Sequence, residues 1–186
     1  MMFAVFVGAL AATGLMRLGE VVVSVRRMRE RPDDVIAEPW LFPWMVVLHV
    51  GLVFAPLAEV LLLDRPVLPP LTALAVGVLL AATALRVWTL STIGYAWNVR
   101  VVEPPADRIA TTGPYRFIRH PNYLVVILEI AALPLLHTAW IAALGLSALN
   151  AVVLAHRIRT EEAVLARNPA WLEAFADRAR LVPGIF

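Results

Sequence analysis

The chain contains no cysteine, which excludes disulfides, thiolate metal sites and a cysteine nucleophile. Lysine is absent as well: all 16 basic residues are arginine, so neither a lysine Schiff base nor a P-loop lysine is available. No Gly-x-Gly occurs among the nine glycines, which argues against a soluble fold that cradles its ligand on a glycine-rich turn. Charge is scarce. Charged side chains make up 16% and hydrophobic ones 61% of 186 residues, far from the balance of a soluble domain. The chain reads as a single all-α membrane domain over residues 1–186, and neither a metal ion nor a nucleic-acid partner is expected.

What is present is a series of long apolar runs. A membrane helix needs about 20 mostly apolar residues, and five segments meet or approach that length: about 3–25, 40–63, 71–96, 122–136 and 140–157. The first lacks the positive flank of a cleaved signal and is read as a retained span. Trp40 and Trp44 anchor the second at an interface, and Pro56 predicts a kink in it. The fourth and fifth are separated by so short a link that they must form an antiparallel hairpin, the fourth being short for a full crossing. Glu103-Pro104-Pro105 breaks the long connection before them. Beyond Arg159 an amphipathic tail is expected as two short helices divided at Asn168-Pro169, with Ile185 and Phe186 in its apolar end.

Arginine placement orients this bundle. Arg26, Arg27, Arg29 and Arg31 follow the first span, Arg100, Arg108, Arg116 and Arg119 the third, and Arg157, Arg159, Arg167, Arg178 and Arg180 the fifth, against Arg65 alone on the other side. The positive-inside rule then places the N-terminus outside and the long loop and tail in the cytoplasm.

Ionisable groups within spans are costly and default to functional hypotheses. Arg17, Glu20, Arg86 and Glu129 all fall in the cytoplasmic half. Glu129, for instance, lies seven residues past Asn122, roughly 10 Å along a helix. They are expected to meet there, either as structural ion pairs or as a pocket floor in which Arg86 and Glu129 orient an acidic or hydroxyl-bearing head group. Glu59 and His49 are read as structural.

The most chemistry-laden stretch is Gly113-Pro114-Tyr115-Arg116-Phe117-Ile118-Arg119-His120-Pro121-Asn122-Tyr123, an ordered turn leading into a helix start, where free N–H groups and the dipole favour anions. Its alternative reading is a basic loop touching anionic lipids. Arg157 and Glu161, four apart, share a helical face. Trp171 and Phe175 either press the tail onto the bilayer or close a ceiling over a ligand.

Together, Gly113-Pro114-Tyr115, Arg119-His120-Pro121-Asn122-Tyr123, the short hairpin, Arg157-Ile158-Arg159-Thr160-Glu161-Glu162 and the tail ending Arg180-Leu181-Val182-Pro183-Gly184-Ile185-Phe186 resemble the isoprenylcysteine carboxyl methyltransferase family, whose relatives include phospholipid N-methyltransferases. The resemblance covers about residues 94–186. It implies a membrane enzyme, in a bacterial plasma membrane, that binds S-adenosylmethionine on the cytoplasmic side and takes a lipophilic substrate laterally from the bilayer. Carried over by residue, Tyr115, His120, Pro121, Tyr123 and Glu162 hold the cofactor and Arg157 and Glu161 are catalytic. Trp171 and Phe175 stand where the family tends to have tyrosines and so supply stacking. Arg86, Trp97, Asn98 and Glu129 resemble a compact bacterial branch that includes methylases of long-chain polyketide pyrones, and are assigned to the substrate. The implied reaction is O-methylation of a carboxylate or acidic hydroxyl on a prenyl or long-chain alkyl lipid. Phospholipid N-methylation and a non-catalytic lipid-binding scaffold are the alternatives.

Overall fold

A computed structural model describes residues 2–30, 40–94, 97–99 and 109–184. Arg31, Arg100, Arg108, the Glu103-Pro104-Pro105 break, the end of the third span at Ala96, and Ile185 and Phe186 lie outside them. Among the described residues, four helices are long and apolar enough to cross a membrane: α1 (Met2–Arg29), α2 (Leu41–Leu63), α3 (Pro69–Ile93) and α5 (Trp140–Leu165). The fifth apolar segment is composite. Helix α4 (Pro121–Ala132) passes into a 3-10 turn at Pro134–His137, because Pro134 lacks the N–H that would continue the α-helical ladder. Thr138, in the left-handed region at φ 57°, then turns the chain into α5. A short helix, α6 (Pro169–Phe175), follows, with the Asn168 side chain capping it through the N–H of Ala170.

Two expectations about the second half of the chain need correction. The fifth helix does not end at Arg157; it continues through Glu161 and Glu162 to Leu165. The change from apolar to charged residues marks a change of surroundings, whereas Arg, Glu, Ala and Leu all sustain a helix. The tail is therefore one short helix after a long one, not two short helices. Pro56 sits within an unbroken α2 and is itself buried.

The bundle is dry at one end and polar at the other. Phe6 and Leu10 of α1, Leu52 and Val60 of α2, Ala75 of α3, Ile130 of α4 and Leu133, Leu136, Ala139 and Ala142 form one apolar core around the α4–α5 turn. Glu59 closes that end, its carboxylate accepting from the N–H groups of Ile141 (3.2 Å) and Ala142 (2.7 Å) and from Arg65 (2.9 Å). An acid at a helix start satisfies orphan donors and the dipole together, so Glu59 caps the start of α5.

At the opposite end the α1 and α3 C-termini, the α2 and α4 N-termini and the last turns of α5 come together. Gly113, at φ +56°, opens a 3-10 turn (Gly113–Arg116) that packs against the end of α3. A side chain there would collide with Thr92 and crowd Trp88, so glycine is required by conformation and by space.

Candidate functional site

Three clusters fill the polar end. The deepest joins α1, α3 and α4. Arg86, 3% exposed, donates to Glu129 through Nε (3.2 Å) and an Nη (2.7 Å) and also reaches Glu20. Arg17 binds Glu20 at 2.8 Å and Glu129 as well. Two arginines and two carboxylates thus close a neutral ring, as buried charges require. All four residues meet as their depths in the sequence implied. Arg17 and Glu20 also face the main cavity, whereas Arg86 and Glu129 stand behind them, occupied by each other.

The second cluster belongs to the loop and tail. The chain after Gly113 pairs with the tail in parallel at Ile118 and Ala179, with Arg119 N–H donating to the Ala179 carbonyl (2.9 Å) and His120 N–H to that of Arg180 (3.0 Å). Arg178 donates to the carbonyls of Tyr115 (2.6 Å) and Thr111 (3.3 Å), and Arg119 to those of Arg178 (2.7 Å) and Ala176 (3.2 Å). This seam brings three groups onto the last turns of α5. Glu162 accepts from Arg180 at 2.8 and 3.0 Å and from Arg119 at 3.4 Å, and meets His120 Nε2 at 3.3 Å. The hydrogen bonds and charge of Glu162 hold the Arg180 pKa above its ordinary value.

Beside it, Trp171 and Phe175 stack at 5.3 Å and bury themselves against Tyr115. They pack on protein, and the reading in which they press the tail onto lipid does not hold. Burial pushes the Tyr115 hydroxyl well above the ordinary phenol range, the charge of Glu161 adding to the effect, so this residue stays a neutral donor at any working pH.

The third cluster links the two assigned catalytic residues. Arg157, 6% exposed, donates through Nε to the Tyr123 hydroxyl at 2.7 Å, and that hydroxyl donates to Glu161. Arg157 and Glu161 are joined through a third residue rather than only by their spacing. Helix α4 positions Tyr123: Pro121 begins the helix, and the Tyr123 ring stacks on His120 at 5.2 Å. Arg157 is further held by the Val99 carbonyl (2.6 Å) and the Met45 sulfur.

From Arg157 and Tyr123 a cavity of about 610 Å³ runs inward between α1, α2, α4 and α5. Trp97 and Asn98 are among its walls, and Ser24 donates to Asn98 at 2.6 Å. Leu15 and Leu18 of α1 and Val46, Val50 and Phe54 of α2 are cavity residues that are also exposed on the bundle surface. The cavity therefore opens sideways between these helices, where acyl chains lie. Sequence reasoning assigned the substrate to Arg86, Trp97, Asn98 and Glu129; the walls contain Trp97 and Asn98, with Arg17, Glu20, His49, Asn122 and Asn150 as further polar members. An ionisable group in the middle of an otherwise apolar span was the available signal for His49. Among the described residues no cluster of three or more metal-ligating side chains occurs.

A family model described as the isoprenylcysteine carboxyl methyltransferase family matches residues 74–167, from within α3 to just past α5. The chain is 36% identical over 125 residues to the Bacillus subtilis protein YpbQ, described as uncharacterized, covering 67% of this chain and 73% of that one. It is also 30% identical over 99 residues to the nickel-cobalt-cadmium resistance protein NccN of Alcaligenes xylosoxydans, covering 53% of this chain and 45% of that one. The matched region holds the His120–Tyr123 helix start and the whole of α5 with Arg157, Glu161 and Glu162, and on these matches the chain belongs to the isoprenylcysteine carboxyl methyltransferase family of S-adenosylmethionine-dependent membrane methyltransferases.

Proposed function

We propose that the protein methylates an acidic oxygen, a carboxylate or an enolic hydroxyl, on a long-chain prenyl or alkyl lipid that enters the cavity from the bilayer between α1 and α2. The observation that carries this is the Arg157–Tyr123–Glu161 chain, two of whose members line the reacting end of an otherwise largely apolar cavity. The proposed setting is a bacterial plasma membrane, with the N-terminus outside and the loop-and-tail end in the cytoplasm, on the strength of the arginine asymmetry.

The residues at that end fit S-adenosylmethionine by their chemistry. A ligand with a carboxylate, an ammonium, a ribose diol and an adenine calls for cations, acids and flat apolar faces. Arg119, His120 and Arg180 supply the cations and Glu161 and Glu162 the acids, and the aromatic cluster of Tyr115, Trp171 and Phe175 packs beside them. Tyr115, His120, Pro121, Tyr123, Glu162, Trp171 and Phe175 would hold the cofactor, which supplies an already electrophilic methyl group. The protein's task is then alignment and exclusion of water. Arg157 orients an anionic acceptor oxygen. A carboxylate needs no base. An enolic hydroxyl passes its proton to the Tyr123 oxygen as the Tyr123 proton moves to Glu161, so a single relay serves either acceptor.

An amine acceptor, as in phospholipid N-methylation, ranks second because Arg157 in the wall disfavours a developing ammonium. The long-chain pyrone hydroxyl of the compact bacterial branch falls within the acidic-oxygen class. The deciding experiment is calorimetric titration of S-adenosylhomocysteine into detergent-purified protein, followed by methyl-transfer assays on prenylcysteine acids, alkylpyrones and phosphatidylethanolamine. Micromolar binding that is lost in His120→Ala and Glu162→Ala, with transfer to an acidic oxygen, is the expected result. Absence of binding to folded wild type would leave a lipid-binding scaffold as the reading.

A further inference from the structure

Residues 97–99 lie on the wall of the main cavity and are fastened one after another from α1. Arg27 donates to the carbonyls of Gly94 (3.0 Å) and Trp97 (2.8 Å), its guanidinium standing 5.9 Å from the centre of the Trp97 ring. The Ser24 hydroxyl donates to Asn98 Oδ1 at 2.6 Å and accepts from the Val99 N–H at 3.4 Å. Ser24 and Arg27 are three apart and so share a helical face. A serine inside a helix commonly returns its proton to the carbonyl four residues back. Ser24, wholly buried, directs it instead to a side chain 74 residues on.

The same segment is bonded on its other side to α5. Arg157 donates through an Nη to the Val99 carbonyl at 2.6 Å and through Nε to the Tyr123 hydroxyl at 2.7 Å. A guanidinium is planar, so bonds at these two nitrogens fix its plane. One of them is anchored on α4, at Tyr123. The other is only as well placed as Val99, and Val99 takes its place from α1. Ser24 and Arg27 both precede the stretch that marks the family.

We propose that Ser24 is a positioning residue for methyl transfer: through Asn98 and Val99 it sets the plane of the Arg157 guanidinium against the acceptor oxygen, and Arg27 is the second fastener of the same segment. The inference rests on the reading in which Arg157 orients an anionic acceptor. Ser24 is not among the residues lining the main cavity, so its effect passes through Arg157. A tilted guanidinium still attracts the anion but no longer aligns it, which lowers turnover more than binding.

The test measures kcat and KM for purified full-length protein with N-acetyl-S-farnesylcysteine and with a long-chain alkyl hydroxypyrone as acceptors, beside the Kd for S-adenosylhomocysteine and the thermal midpoint. Ser24→Ala should lower kcat about tenfold and leave the acceptor KM, the Kd and the midpoint near wild type. Ser24→Thr, which keeps the hydroxyl, should recover most of that loss. If the added methyl does not fit this sealed position, as a lower midpoint would show, Arg27→Met decides, and should lower kcat in the same selective way. An unchanged kcat in Ser24→Ala, or a fall matched by a weaker Kd and a lower midpoint, overturns the inference alone and leaves these bonds as packing. Absence of transfer to both acceptors by wild type that binds S-adenosylhomocysteine overturns it together with the acidic-oxygen reading of the function.

Discussion

The two ionic clusters are built from the same groups, arginines and glutamates, but in different surroundings. In the Arg17–Glu20–Arg86–Glu129 ring the inner pair is nearly sealed, the side chains of Arg86 and Glu129 being 4% and 6% exposed, while Arg17 and Glu20 reach the cavity wall. Around Glu162, Arg180 remains 42% exposed and Arg119 20%. Removing one member of a sealed ring strands its partner in a medium that cannot solvate it. At the loop-and-tail end, water takes up the slack. The first cluster therefore bears on whether the bundle forms, and the second, on the proposed reading, on what it binds.

The largest effect should come from the sealed ring. Glu129→Leu leaves Arg86 and Arg17 uncompensated and should cost roughly 3–5 kcal/mol, seen as a collapse in folded yield and thermal midpoint in detergent. Glu129→Gln, which retains hydrogen-bonding capacity, should be milder. Next is Tyr123→Phe, which cuts the link between Arg157 and Glu161 without removing a charge. Methyl transfer should drop about 10²-fold from lost alignment, with the thermal midpoint little changed. If activity and folded yield fell together in this variant, Tyr123 would belong with the structural ring. Glu162→Gln should weaken S-adenosylhomocysteine binding about tenfold, or about 1.4 kcal/mol, while sparing the fold. The smallest effect falls to Arg180→Ala, whose half-solvated pairing is worth about 0–1 kcal/mol. Calorimetry at low and high salt would check it, since the wild-type advantage should shrink as salt rises.

The ring was legible in the sequence because helical rise is fixed: counting from each span end placed Arg17, Glu20, Arg86 and Glu129 at a common depth. Span existence, the hairpin and the Arg157–Glu161 face followed from periodicity and spacing alone. Which residues line the cavity did not. Arg86 and Glu129 turn toward each other while Arg17 and Glu20 reach the wall, a distinction made by how α1 leans on α2 and α3. The same holds for His49 and Asn150, whose roles depend on the gap between helices. The seam at Ile118 and Ala179 joins segments about sixty residues apart and has no periodic signature. The end of α5 carries no signal in polarity, because Glu161 and Glu162 extend the helix much as leucine does.

That seam also orders events in time. Arg119 and His120 are fixed by backbone bonds to Ala179 and Arg180, residues that follow α1, α2, α3 and α4 in the chain by a long way. Every member of the Arg17–Glu20–Arg86–Glu129 ring precedes Arg180 by about fifty residues or more, so the ring can close while Glu162 still lacks its Arg180 partner. If that cluster holds the cofactor as proposed, assembly in the membrane and competence to bind it are separate steps, the second waiting for the tail to fold back.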